Sequence, residues 1–265
     1  MSEDKKLEIS IPGEWALKKL LGPTSEKIGN DLATLYTAVV TKITTVAKRK
    51  TDNINDGKTA NLRVVRDIFW NGGFSDDDIC AEYFGGILAS SRSEDGKDDS
   101  GIYYTDIIKS LSSKQLLFHY MIYNSLNKEF LAHNTEINVA KGSELEKKQI
   151  YFFGTELYQL GINVPIDAFA LNSKDLISNF SFQNEKAYDI SGKEIEVYLG
   201  YIGPSPLGIQ LYSIINNSLD NWINFPNTSF GDFPDIPLVE HYSMSKKELL
   251  NKANLNDVKL VEEQK

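Results

Sequence analysis

The residues able to do chemistry in this chain are few, and their spacing limits what they can do. Three histidines, His119, His133 and His241, are too far apart in sequence for any two to meet at the i, i+4 spacing that presents two imidazoles to one metal ion, and no cysteine pair accompanies them. His119 falls near an apolar helix face, where an imidazole is expected to be a hydrogen-bonded packing group. The single cysteine, Cys80, lies on an apolar stripe and is expected to be buried and unreactive. There is no Gly-rich loop ending in Lys-Ser/Thr to cradle phosphate, and no dinucleotide fingerprint follows a strand. Gly203-Pro204-Ser205-Pro206-Leu207-Gly208 sets a serine between glycines, but its spacing is not that of a nucleophile elbow and two prolines disfavour the strand-to-helix turn.

The carboxylates are more numerous. Asp76, Asp77, Asp78 and Glu82 have the oxygen chemistry for a hard cation, yet acids in the first turns of a helix are already accounted for by the helix dipole. Glu94, Asp95, Asp98 and Asp99 lack the alternating ligand spacing of a calcium loop and its closing Glu. The residues therefore assign no catalytic, cofactor-binding or metal-ligating role. A metal-dependent nuclease whose carboxylates meet only in the folded chain is kept as an alternative.

Cations concentrate in one place. Lys48, Arg49, Lys50, Lys58, Arg63 and Arg66 crowd the region from Lys42 to Arg66 of a chain whose net charge is −9. Lysine and arginine at a helix C-terminus complement its dipole; the sharper reading is a contact surface for nucleic acid or an acidic partner. The overall acidity argues against a protein whose whole surface tracks phosphate.

The elements that carry these residues read mainly as helices. Leu7, Ile9 and Ile11 alternate as a short strand would, and a short helix over 13–21 is closed by Gly22-Pro23. A long helix capped by Thr24 or Ser25 follows, with Ile28, Leu32, Leu35, Val39, Ile43 and Val46 as a seam for a partner helix, within the chain in the favoured reading and in a second subunit in the other. Residues 61–69 form another helix, broken by Asn71-Gly72-Gly73. Ser75 is then expected to cap a helix from Asp76, with Ile79, Cys80, Tyr83, Phe84, Ile87 and Leu88 as one apolar stripe. Gly85 and Gly86 inside it call for close approach of a second helix, with a local kink as the alternative.

The polar run SRSEDGKDDSG reads as a surface loop. A short helix from Tyr104 to Leu111 and another capped by Ser112 or Ser113 come next. Helical spacing recurs from Glu144 to Leu160 and around Lys174 to Phe180. Residues 186–190 and 194–202 read as a β-hairpin about Ser191-Gly192, and Pro204 to Pro206 lead into a helix starting near Leu207. From Trp222 the chain is expected to be extended, and from Ser243 to be a solvated helix or tail.

Gly22, Pro23, Glu26 and Gly29, an acidic helix ending in Ile87-Leu88-Ala89-Ser90, and a Tyr-x-x-Ile-Ile-Lys-x-Leu-Ser run from Tyr104 to Ser112 resemble the Abi-alpha family of abortive-infection proteins, with a looser fit at Ser205-Pro206-Leu207-Gly208. These are turn and packing residues covering about two thirds of the chain. The resemblance implies a bacterial phage-resistance role and supplies no catalytic motif.

With 265 residues, 41% hydrophobic and 25% charged, the chain is long and apolar enough to bury a substantial core without staples. A single cysteine forms no internal disulfide, and the start MSEDKKLEIS lacks the regions of a secretory signal. A cytoplasmic protein without a membrane span or cofactor is expected. The expected fold class is mainly α with a small β-hairpin: a helical bundle over 1–110, winged-helix-like helices and hairpin over 111–220, and an extended segment and polar tail over 221–265. Three functions are carried forward: non-enzymatic anti-phage defence through protein association or self-association, a winged-helix-like nucleic-acid-binding regulator, and the nuclease.

Overall fold

The computed structural model describes residues 25–188 and 193–252, and helix predominates among them. The expected strand over 7–11, the helix over 13–21 with its Gly22-Pro23 stop, the Ser191-Gly192 turn and the tail beyond Lys252 lie outside the described residues.

The long helix α1 (Ser25–Arg49) buries Val39, Ile43 and Val46. A two-residue strand β1 (Thr59–Ala60) leads into α2 (Leu62–Gly72), which Asn61 caps by accepting the Arg63 N–H, and Gly73 supplies the C-cap. Next comes α3 (Asp78–Ser90), the helix around which the first part of the chain is packed. It begins two residues later than the acid run suggests, with Asp77 at the N-cap position and no side-chain cap, so Ser75 does not cap it.

A single apolar stripe was expected on α3, but every residue from Ile79 to Ala89 is buried. The two glycines are the physical reason. A Cβ on Gly85 would lie 2.6 Å from Val46 Cγ1, and one on Gly86 would run into the carbonyl oxygen of Ile215. With hydrogen in place of a methyl group, helices close on α3 from two sides, so Val39, Ile43 and Val46 of the α1 seam are used within the chain, while Leu35 stays exposed. The loop after α3 adds β2 (Arg92–Ser93), paired antiparallel with β1, before α4 (Gly101–Ile108).

The second helix buried almost all round is α5 (Ser113–Ala132). Its start matches the expected signal: Ser112 accepts from the Gln115 N–H at 3.2 Å while the Gln115 side chain accepts from the Ser112 N–H at 3.0 Å.

Beyond the one-turn helix α6 (Gly142–Leu145), two expected helices are corrected. Residues Ile150–Phe153 are a strand, β3, and only Gly154–Gln159 continues as helix α7. Ile-Tyr-Phe-Phe fits a pleated surface, and Phe152 lies opposite Gly200, whose bare backbone admits Ser181 and Phe182 of the strand on its other side. Likewise the helix falls on Val164–Ser173, α8, with Pro165 in its first turn; Asp175, at positive φ, ends it, and the stretch after it is strand.

The hairpin is longer than its sequence signal, with β4 (Ile177–Tyr188) paired to β5 (Glu194–Pro204). Strand β3 pairs with β5, and a short β6 (Tyr242–Ser243) completes an antiparallel sheet in the order β4-β5-β3-β6. Ser205 then caps α9 (Pro206–Ile215) through the Gly208 N–H. A 3-10 turn over Leu219–Asn227 opens the expected extended segment, which buries Phe225, Phe233, Ile236 and Val239 and is tied to α5 by Asn127, donating to the carbonyls of Phe225 and Thr228.

The C-terminal helix α10 (Lys246–Lys252) is not wholly solvated as expected. Its Leu249 is buried with Phe153, Val197 and Leu199 on the sheet face opposite the main core. No helix among the described residues is long and apolar enough to cross a membrane.

Candidate functional site

The six cations singled out in the sequence do not assemble into one free surface. Lys50 is almost wholly buried, its side chain 8% exposed, and it lies 2.8 Å from Glu82, itself 5% exposed. Lys50 Nζ also donates to the carbonyls of Glu82 and Ile215 and stands 3.8 Å above the Phe233 ring. Burial pulls its pKa down to about 8 against the attraction of Glu82. Arg49 reaches both oxygens of the same carboxylate, at 2.5 and 2.6 Å.

Glu82 is therefore the internal counter-ion of two residues that sequence spacing placed on a contact face. The cleft beside it, lined by Thr41, Lys42, Arg49, Asp78, Glu82 and Asp235, encloses about 380 Å³. Its remaining cation, Lys42, is also paired, 2.5 Å from Asp78. Arg63 pairs with Asp99 at 3.2 Å and Arg66 with Asp67 at 2.6 Å, both in the open. Lys48 and Lys58 are exposed and enter no ion pair among the described residues. A cation facing an adjacent carboxylate has little potential left for phosphate.

His119 has the packing role read from its position. It is buried, its Nδ1 2.6 Å from the Tyr83 hydroxyl and its Nε2 3.2 Å from the Gly208 carbonyl. Burial lowers its pKa to about 3, so the ring is neutral at physiological pH. Tyr83 and Tyr123 flank its ring, with Tyr212 packed against Tyr123 and Tyr120, and burial raises the pKa of all four phenols, that of Tyr123 to about 12. Since Gly208 sits against the Tyr123 ring, this group is a packed, hydrogen-bonded core. Cys80 is buried as expected, with burial raising its pKa.

The donors that come closest to a metal arrangement are Glu129, His133 and Glu248, whose ligand atoms lie within 4.8 Å of one another. Sequence spacing missed them because a search for histidine pairs passes over one histidine with a glutamate a turn earlier. The third donor comes from α10.

The other feature not read from the sequence is the outer face of α7 and α8. Val164, Ala168 and Leu171 turn inward, and Asp167 fixes the start of α8 by accepting the Asn163 N–H at 2.8 Å and the Gln115 side chain at 3.3 Å. That leaves Ile166 62% exposed and Phe169 68% exposed one turn apart on α8, with Tyr158 on α7 also 68% exposed. Between Asn163 and Ser173 this outer face carries no lysine or arginine. The signal was present in the sequence, but assigning the helix to 174–180 hid it. The chain matches no family model, no curated protein and no solved structure.

Proposed function

We propose that this protein is a non-enzymatic, cytoplasmic component of bacterial anti-phage defence that acts by binding another protein, with a winged-helix-like half (111–220) carried on an N-terminal helical bundle. The winged-helix reading is supported by the order helix α5, strand β3, helices α7 and α8, then hairpin β4-β5, with β3 pairing to the second hairpin strand. In that arrangement α8 holds the position of a recognition helix.

The observation that carries the reading is what α8 presents there. Ile166 and Phe169 are large apolar side chains left in water, which suits burial against protein and not contact with phosphate or base edges. The same element order fits a nucleic-acid-binding regulator, the second reading, but four of its six candidate contact cations are paired with carboxylates of this chain, two with buried Glu82 and two on the surface. The defence role rests on the Abi-alpha resemblance of the Gly22-to-Ser112 motifs.

The test is phage challenge of a susceptible bacterium expressing the wild type or the pair Ile166→Ser and Phe169→Ser. Protection by the wild type and its loss in a folded double variant are expected. Equal plaque counts with and without the gene, across a varied phage panel, would remove the defence reading. Protection that persists in the double variant would remove the role of the α8 face. Retardation of duplex DNA at low salt, lost on changing Lys48 and Lys58 together, would favour the second reading.

A further inference from the structure

We propose that Glu129, His133 and Glu248 form a binding site for a divalent transition-metal ion of the zinc class. One oxygen of each carboxylate and one imidazole nitrogen already lie within 4.8 Å of one another. They are contributed by two elements. Glu129 and His133 stand at i and i+4 at the end of the buried helix α5, and Glu248 lies in the first turn of α10.

The surroundings orient the donors. His133 Nδ1 is 3.0 Å from the Glu129 carbonyl; with Nδ1 donating, Nε2 keeps its lone pair, the tautomer in which an imidazole ligates a metal. Ser243 sits between the carboxylates, its hydroxyl 2.9 Å from Glu248 Oε2 and 3.5 Å from Glu129 Oε2. Glu129 Oε2 also accepts the Met244 N–H at 3.1 Å.

Two carboxylates this close favour a cation between them. Lys252 supplies one, with Nζ 2.9 Å from Glu129 Oε1 and its side chain 47% exposed. An entering ion displaces that ammonium into water, and water completes the coordination. One imidazole with two carboxylates suits zinc-class ions; calcium and magnesium prefer all-oxygen sets. Because the ligands join α5 to α10, a bound ion fastens the C-terminal helix to the core.

The experiment titrates the full chain with Zn²⁺ by calorimetry and with Co²⁺ by visible absorption. The wild type is compared with His133→Ala, Glu248→Gln, Lys252→Met and the control His241→Ala. One ion per chain is expected. His133→Ala and Glu248→Gln should weaken it by about tenfold or more, at least the effect of losing an outer-shell partner. His241→Ala should leave it unchanged, and Lys252→Met, which removes the competing ammonium, should tighten it. Both ligand substitutions are at exposed positions, and circular dichroism checks that the variants fold. Amide exchange in α10 should slow when Zn²⁺ is added. A wild type that binds no ion, affinity unchanged in His133→Ala, or α10 exchange indifferent to Zn²⁺ would each overturn the proposal.

Discussion

Glu82→Gln removes the one carboxylate on which two buried or half-buried cations depend. Arg49, its side chain 42% exposed, can turn into water, but Lys50 at 8% cannot. Breaking a buried pair by deleting one partner costs about 3–5 kcal/mol. Lys50 keeps its bonds to the carbonyls of Glu82 and Ile215, so the low end, about 3 kcal/mol, is expected here. For a chain of this size that is a fall in Tm of roughly 6–12 °C.

The pH dependence separates this cause from a packing defect. Lys50 has its pKa lowered in the folded chain from 10.5 to about 8, so between these values the unfolded chain holds more protons and stability rises with pH. Below about pH 8 both states are protonated and the cost of the buried ammonium is full. Without Glu82 the folded pKa falls further, so across about pH 6 to 9.5 the variant's deficit should shrink as pH rises toward about 8, where wild-type Lys50 itself begins to lose its proton, and level off above it. Above that range the buried tyrosines lose stability for the opposite reason, because their raised pKa values leave the unfolded chain to deprotonate first. The assay is urea unfolding followed by circular dichroism across this range, with Arg49→Ala as the control expected to lose less. A loss below about 1 kcal/mol near pH 7, or a deficit that ignores pH, would refute the reasoning.

Two further substitutions probe the core. Gly86→Ala forces a methyl group onto the Ile215 carbonyl and should cost about 2–3 kcal/mol in urea unfolding, by pushing α9 away from α3. His119, neutral in the fold with a pKa near 3 against 6.5 unfolded, makes the unfolded chain the stronger proton binder below pH 6.5. Stability should therefore fall on acidification through that window, and in His119→Gln, which keeps both hydrogen-bonding functions, the acid-side slope should flatten.

Signals carried by a residue and its near neighbours were legible. The Ser112 cap, the helix start after Pro204 to Pro206 and the need for a partner against Gly85-Gly86 all depend on local geometry. The apolar run around Ile150 was misread because its spacing fits a helix as well as a strand. What decides for the strand is its antiparallel pairing with β5 on one side and β6 on the other, partners that lie far along the chain. The same ambiguity displaced α8 and concealed Ile166 and Phe169.

By itself the sequence determined that the chain would be mainly helical, with a hairpin and a core needing no staples, because periodicity, caps and apolar content are properties of short stretches. Only the tertiary structure decided which charges face water. Glu82 neutralises Arg49 and Lys50 from across the fold, and Glu248 reaches Glu129 and His133 from α10. An ion pair or a donor set between distant segments depends on how helices dock, and helical spacing along the chain carries no record of that.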